Sequence, residues 1–185
     1  QTHCPQCNWD LSKDPTPEPS HTEKTAFLQA VLGQISYSKT YSVMNNTLHF
    51  TFRTLTVQEI DAAYHQVYRE KEARQISTLQ DFWERVNRLR LYLQLTEVRT
   101  DAYDHSLPVG LSPATAPNAT DHWGEKVDTE LFEQLEATIL KEVLPSEVLV
   151  RMAIKLCGRF QVTVSRLEAM MDNDSFWQAT GQPSA

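Results

Sequence analysis

The residues best equipped for chemistry open the chain: His3, Cys4 and Cys7, in the run His-Cys-Pro-Gln-Cys. A Cys-x-x-Cys turn lets two thiolates converge on one tetrahedral ion while backbone amides support the sulfurs. The chemistry indicated is a structural zinc site, which needs four ligands, and Cys4 and Cys7 supply two. His21 follows Cys7 after thirteen residues, within the spacing of Cys-x2-Cys…His sites. His3 could complete the set, although its adjacency to Cys4 strains a shared ion. No second histidine follows His21 at the usual spacing. The sequence opens on Gln1 rather than Met, which leaves room for ligands upstream or on a neighbouring chain. A disulfide or redox pair and two free thiols are the alternatives. A thioredoxin-like role is disfavoured because no βαβ pattern follows the motif. Nothing nearby supplies a base, an open ligand position or a substrate pocket, so the motif points to a clip rather than a reaction centre.

Other chemistry is sparse. There are five glycines and no Gly-rich phosphate loop, G-x-S-x-G elbow, H-E-x-x-H helix or EF-hand loop. His65 lies mid-helix, and His49 alternates onto the polar face of a hairpin. His105 and His122 stand beside Asp104 and Asp121 in a polar stretch and read as loop residues rather than as a transient metal site. Cys157, in an apolar helical run, reads as a core cysteine. No nucleophile–base–orienter set emerges, so catalysis is disfavoured.

The 185 residues suit one domain with appendages, and 41% hydrophobic residues suffice for a modest core. A net charge of −7 opposes general nucleic-acid binding, which needs a basic stripe. No signal-peptide core and no apolar run of about 18 residues is present, giving the expectation of a soluble protein of intracellular origin outside the membrane. The sequons at Asn45, Asn118 and Asn173 then read as chance.

The elements that must position any site fall into four stretches. Residues 1–19 hold the knuckle and an Asp14–Pro19 linker whose alternating prolines favour an extended path. Residues 20–99 form a unit of helix, hairpin and two helices. A Ser20…Glu23 capping box opens a helix with Phe27, Val31 and Leu32 inward. Tyr41 and Val43 alternate on one strand, and Leu48, Phe50 and Phe52 on the next. Asn45-Asn46 between them suits a type I′ turn and pairs Val43 with Leu48 and Tyr41 with Phe50. Thr56…Glu59 caps a helix expected to bury Val57, Ile60, Tyr64 and Val67 and to expose Arg69, Glu70, Lys71 and Glu72. Ser77…Gln80 caps another, with Leu79, Phe82, Val86, Leu89 and Leu93 inward. Arg85, Arg88 and Arg90 read as a solvated face, or as a contact with an acidic neighbouring subunit.

Residues 100–127 read as an extended linker or arm, too long for a tight connection. Residues 128–185 hold C-terminal helices: about Asp128 to Val143, with Leu131, Phe132, Leu135 and Ile139 inward and Pro145 as breaker. A second starts near Ser146 and carries Val148, Leu149, Met152, Leu156 and Phe160. A short third covers Ser165 to Met171. The adjacent aromatics Phe176 and Trp177 of the tail are candidate docking residues, on the chain's own domain or on a partner. The fold class is thus α+β and mostly helical, a β-hairpin packed with a helical bundle, plus the knuckle and extended arms.

The stretches Phe27–Gly33, Lys39–Tyr41, Leu48–Thr56 (ending Phe-Arg-Thr-Leu-Thr) and Glu59–Asp61 resemble small tail-gene proteins of tailed bacteriophages, and Leu156–Phe160 with Val162–Glu168 is similar to helical ends in the same group. The resemblance covers about half the chain and leaves the knuckle outside. It implies a virion tail, tip or baseplate component, or a tail-assembly chaperone, with no enzymatic activity. Other virion or assembly proteins are then the partners, and a structural zinc the one cofactor to look for. Arms of this kind tie subunits together. A cytoplasmic adaptor with adaptable Met170 and Met171, and a zinc-dependent nucleic-acid regulator, are the rival readings; charge opposes the last.

Overall fold

The computed structural model describes residues 17–100, 103–106 and 129–171. The α+β class and the mostly helical content are as expected. In chain order the elements are α1 (His21–Leu32), β1 (Ser38–Val43), β2 (Leu48–Arg53), α2 (Val57–Glu72), α3 (Leu79–Gln94), β3 (Leu95–Thr100), β4 (Tyr103–Ser106), α4 (Thr129–Thr138), a π turn (Ile139–Val143) and α5 (Glu147–Met171).

Local chemistry sets most boundaries. Ser20 and Thr56 are N-caps, each closing a capping box with the glutamate three residues on. The third box lies one residue later than the sequence suggested, with Thr78 as cap and Asp81 as its partner. The hairpin has the expected register: Val43 opposes Leu48 and Tyr41 opposes Phe50. Asn45 and Asn46 take left-handed φ of 56° and 63°, and Met44 joins them at 53°. The Thr47 hydroxyl donates to the Met44 carbonyl at 2.6 Å, which holds the turn closed.

The hairpin is part of a four-stranded antiparallel sheet in the order β1-β2-β3-β4. The run Leu91–Leu95 leaves the helix and enters β3 without a loop, so helical periodicity alone concealed the strand. A bulge follows at once, since Phe52 pairs with Leu95 while Thr51 pairs with Glu97. β4 occupies the first part of the stretch read as an arm; residues 107–128 lie outside the described residues, as do 1–16.

Phe50, Phe52, Leu95 and Val98 face the helices and are buried. Phe160 of α5 stacks on Phe52 and Tyr37 with ring centroids 6.0 and 6.2 Å apart, and Phe27 of α1 meets Tyr37 edge-on at 5.4 Å. α1 therefore buries Phe27 and Ala30, whereas Val31 and Leu32, expected inside, are exposed.

The two expected C-terminal helices after Pro145 are one, α5, of 25 residues. The β-branched run Val162–Val164 does not break it: the Thr163 hydroxyl bonds the Arg159 carbonyl, and Phe160, Thr163 and Leu167 continue its buried stripe. Of the apolar residues this helix carries, Val148 is exposed, and Leu156 and Phe160 are buried. Pro145 ends α4 through the π turn, where Leu144 N–H reaches back to the Ile139 carbonyl at 2.7 Å. Phe132, Leu135 and Ile139 are buried as expected.

Two substitutions in α5 test this packing by urea unfolding. Phe160→Ala should cost about 4 kcal/mol, since the fully buried Phe160 packs α5 against Phe52 of the sheet and against Tyr37. Gly158→Ala should instead raise stability by roughly 0.5–1 kcal/mol, because Gly158 lies inside a helix and an added Cβ would meet nothing within 4 Å.

Candidate functional site

α2 and α3 form an antiparallel pair. Their rotation about one another decides which side chains reach the surface. The sequence offers α2 two possible inner stripes. The structure buries Glu59, Ala62, Ala63, Gln66 and Val67. Two alanines allow close approach of α3, and Gln66 donates through Nε2 to Glu70 at 3.0 Å while its buried Oε1 has no hydrogen-bond partner among the described residues. Glu59, 2% exposed, accepts from Arg53 Nη1 at 2.9 Å, pairs with Arg53 Nη2, and accepts the Thr56 N–H at 2.9 Å. This ion pair bolts the end of β2 to the start of α2.

A second bolt lies at the other end. Arg85 of α3 donates through Nε and Nη2 to Glu70 of α2, at 2.8 and 2.9 Å. Through Nη1 and Nη2 it donates to Glu136 of α4, at 2.8 and 2.9 Å. Glu70 and Arg85, both read as surface charges, thus pair within the chain: two bidentate forks on one guanidinium hold three helices. Burial opposes ionisation of Glu70, but hydrogen bonds from Arg85 and Gln66 outweigh it and hold the carboxyl below its ordinary range. Burial likewise opposes the Arg85 charge, and the two carboxylates still raise its pKa. Around this fork runs a cleft of ≈ 690 Å³ lined by charged groups of both signs, including Arg69, Arg88 and Glu133. Its central charges satisfy one another across the three helices.

Because α2 turns its alanines inward, its other apolar stripe faces out. Val57 is 74% exposed and Tyr68 53%, with Ile60 and Tyr64 half-buried between them. On α3, Leu79 is 72% and Trp83 41% exposed. Val57 and Leu79, expected in the core, are exposed; Ile60 and Tyr64 are half-buried, and Tyr64 still packs against the core while its ring borders the exposed face. Trp83 meets Tyr64 edge-on at 6.1 Å and Phe82 at 5.6 Å, and Phe82 meets Tyr68 at 5.1 Å. The rings are mutually braced, and Phe82 roots them in the core. Contiguous apolar faces of this kind mark interaction sites, and Trp and Tyr dominate binding energy at interfaces.

Of the four sequence-derived ligands, His21 alone lies among the described residues. His3, Cys4 and Cys7 lie outside the described residues, as do Phe176 and Trp177. His21 is exposed in the first turn of α1. Among the described residues, no three His, Cys, Asp or Glu side chains gather at one point. Cys157 is buried, as expected, and its thiol donates to Gln94 Oε1 at 3.1 Å. Burial pushes that thiol up to about 12, which keeps it protonated.

A hydroxyl–imidazole pair escaped the sequence reading: Ser42 Oγ lies 2.8 Å from His49 Nδ1 on the polar side of the sheet. The register sets Arg99 of β3 opposite His49. The pair lies on an open strand surface beside the Thr40–Thr51–Glu97 hydrogen-bond ladder. It is a cross-strand contact of the sheet. No helix among the described residues is long and apolar enough to cross a membrane.

Removing the second bolt should loosen three helices together. Arg85→Met is expected to cost about 2 kcal/mol in urea unfolding, less than for a fully buried pair because solvent screens it. The pH dependence follows from the lowered Glu70 carboxyl. Its stabilisation is complete above the unfolded-state pKa near 4.5 and fades as pH falls through the lower folded value. Arg85→Met should flatten that acid limb of the stability profile. Comparison with protein-family models, characterised proteins and solved structures finds no match, so function rests on these surfaces.

Proposed function

We propose that this chain is a non-enzymatic subunit of a larger protein assembly and binds its neighbours through the exposed aromatic face of α2 and α3. The observation that carries the reading is that face itself: Val57, Tyr68, Leu79 and Trp83 stand in solvent on a helix pair whose other sides are bolted to the fold. An isolated monomer gains nothing from leaving such a stripe uncovered. The assembly we propose is the tail, tip or baseplate of a tailed bacteriophage particle. The likeness of the Phe27–Asp61 segments to tail-gene proteins supports that choice. Arg53 and Glu59 of the same stretch also build the joint between sheet and α2.

The knuckle belongs to the same proposal. Cys4 and Cys7, with His21 and His3 as candidate further ligands, would hold a structural zinc that staples a segment too small to fold alone. His21 fits to this extent: its exposed place in the first turn of α1 leaves it reachable from the segment before it. Phe176 and Trp177 would add a further contact on a neighbour.

Quantitative mass spectrometry on purified particles beside their lysate tests the assembly role. A fixed copy number per particle is expected. Abundance in the lysate with absence from the particle would replace the structural role by that of an assembly chaperone. Metal analysis of the purified chain should find close to one zinc per chain, lost in the Cys4→Ser/Cys7→Ser variant while the circular dichroism of the described fold persists. Equal metal content in both proteins would end the knuckle proposal.

A further inference from the structure

The geometry points to the chemistry of the partner: we infer that the aromatic face of α2 and α3 takes a basic amphipathic helix from a neighbouring protein. This deepens the assembly reading and rests on it. The shape comes first. From Val57 to Tyr68 the α2 stripe runs about 16 Å, three helical turns, and Leu79 and Trp83 widen it on the α3 side. An apolar strip of that length and width suits a helix of three to four turns laid along it.

The charge around the strip selects the sign. On the far flank of α2, helical spacing sets Asp61 and Glu72 beside Tyr64 and Tyr68, with the half-buried His65 between them; on α3, Glu84 follows Trp83 and lies farther round the helix. All three carboxylates are exposed, and the remaining exposed neighbours Gln58, Gln80 and Asn87 are neutral. Lys71 also borders the strip and lies over the ring of Phe82, 5.8 Å from its centroid. The strip is therefore aromatic in the middle and mainly acidic at the rim. Tyr and Trp faces attract ammonium and guanidinium groups, and the acidic rim attracts the same groups at its border. The chain's net charge of −7 acts in the same direction at longer range. A second copy fits worse, because two-fold pairing would bring like-signed rims together. Nucleic acid is excluded by the same sign.

The test uses the full chain and a fluorescent amphipathic peptide of about 14 residues, with leucine on one face and lysine on the other. A twin peptide carries glutamate in place of lysine. Fluorescence anisotropy should show saturable binding of the lysine peptide, and binding of the glutamate twin weaker by about tenfold or more. Trp83→Ser with Tyr68→Ser should weaken the lysine peptide by about tenfold or more with unchanged circular dichroism. Asp61→Lys should weaken it as well, whereas Glu168→Lys, an equal charge change on the exposed side of α5, should not.

Equal binding of the two peptides overturns the proposal, and so does indifference to Trp83 and Tyr68. A dimer in sedimentation that Trp83→Ser dissolves would make the face a self-contact and overturn it too. Competition by a peptide of residues 172–185 would do the same, making the chain's own tail the occupant. A photo-crosslinker at Leu79 separates the two levels of inference. Crosslinking to an acidic or neutral segment of an assembly protein would retain the assembly role and reject the basic helix. No crosslink in particles or lysate would reject both.

Discussion

Arg85 is the constraint on which the helical half of the structure depends. One guanidinium receives Glu70 from α2 and Glu136 from α4 in two forks, so three helices share a single charge centre. In energy alone the arrangement is replaceable: apolar residues of similar volume commonly match or exceed a partly buried ion pair. In geometry it is harder to replace. A planar fork has one orientation for each carboxylate, whereas an apolar contact tolerates rolling of one helix on another. At the other end of α2, Glu59 combines an N-terminal cap with the Arg53 pair and fixes the same helix to the sheet. A helix fixed in rotation at both ends must present a defined stripe to solvent.

Local signals were legible in the sequence wherever a few neighbouring residues decide the outcome. Two of the three capping boxes and the hairpin register stand as read, because side-chain oxygens, Asn conformations and two-residue alternation act over short distances. The strand β3 was hidden because Leu89 and Leu93 continue the helical stripe of α3 into its last turn, and the chain turns extended at Leu95 with no loop to mark the change. α5 read as two helices because a β-branched run weakens propensity, and tertiary burial of Phe160 and Leu167 overrides that.

The candidate interface was legible in its residues, but Val57 and Leu79 were assigned to the wrong side. Val57, Ile60 and Tyr64 form the more apolar stripe of α2, and hydrophobicity alone sends that stripe inward. What sends Ala62, Ala63 and Gln66 inward instead is the placement of Glu59 and Glu70 on the same side, together with cations on β2 and α3 that no local window contains. A polar residue at helical spacing with a distant opposite charge is a signal of burial that becomes visible once the partner is known. The knuckle is the reverse case: its spacing is explicit in the sequence, yet three of its four candidate ligands lie outside the described residues.

The division of labour between the two sides of α2 connects folding to function. The inner side uses small residues and paired charges, which allow close approach and fix rotation. The outer side carries Tyr64 and Tyr68, rings with few rotatable bonds that lose little entropy when covered. Each is braced by a ring of α3, Tyr64 by Trp83 and Tyr68 by Phe82, before any partner arrives. Binding to a pre-ordered surface avoids much of the ordering cost that weakens association with mobile segments. The exposed stripe can thus stay out of the core without loss to the fold, since stability is provided by the sheet, α5 and the two ion-paired joints. Polar replacement of Tyr68 or Trp83 would act on association first, whereas disturbing Arg85 or Glu59 would act on both, because rotation of α2 is what brings the rings into register.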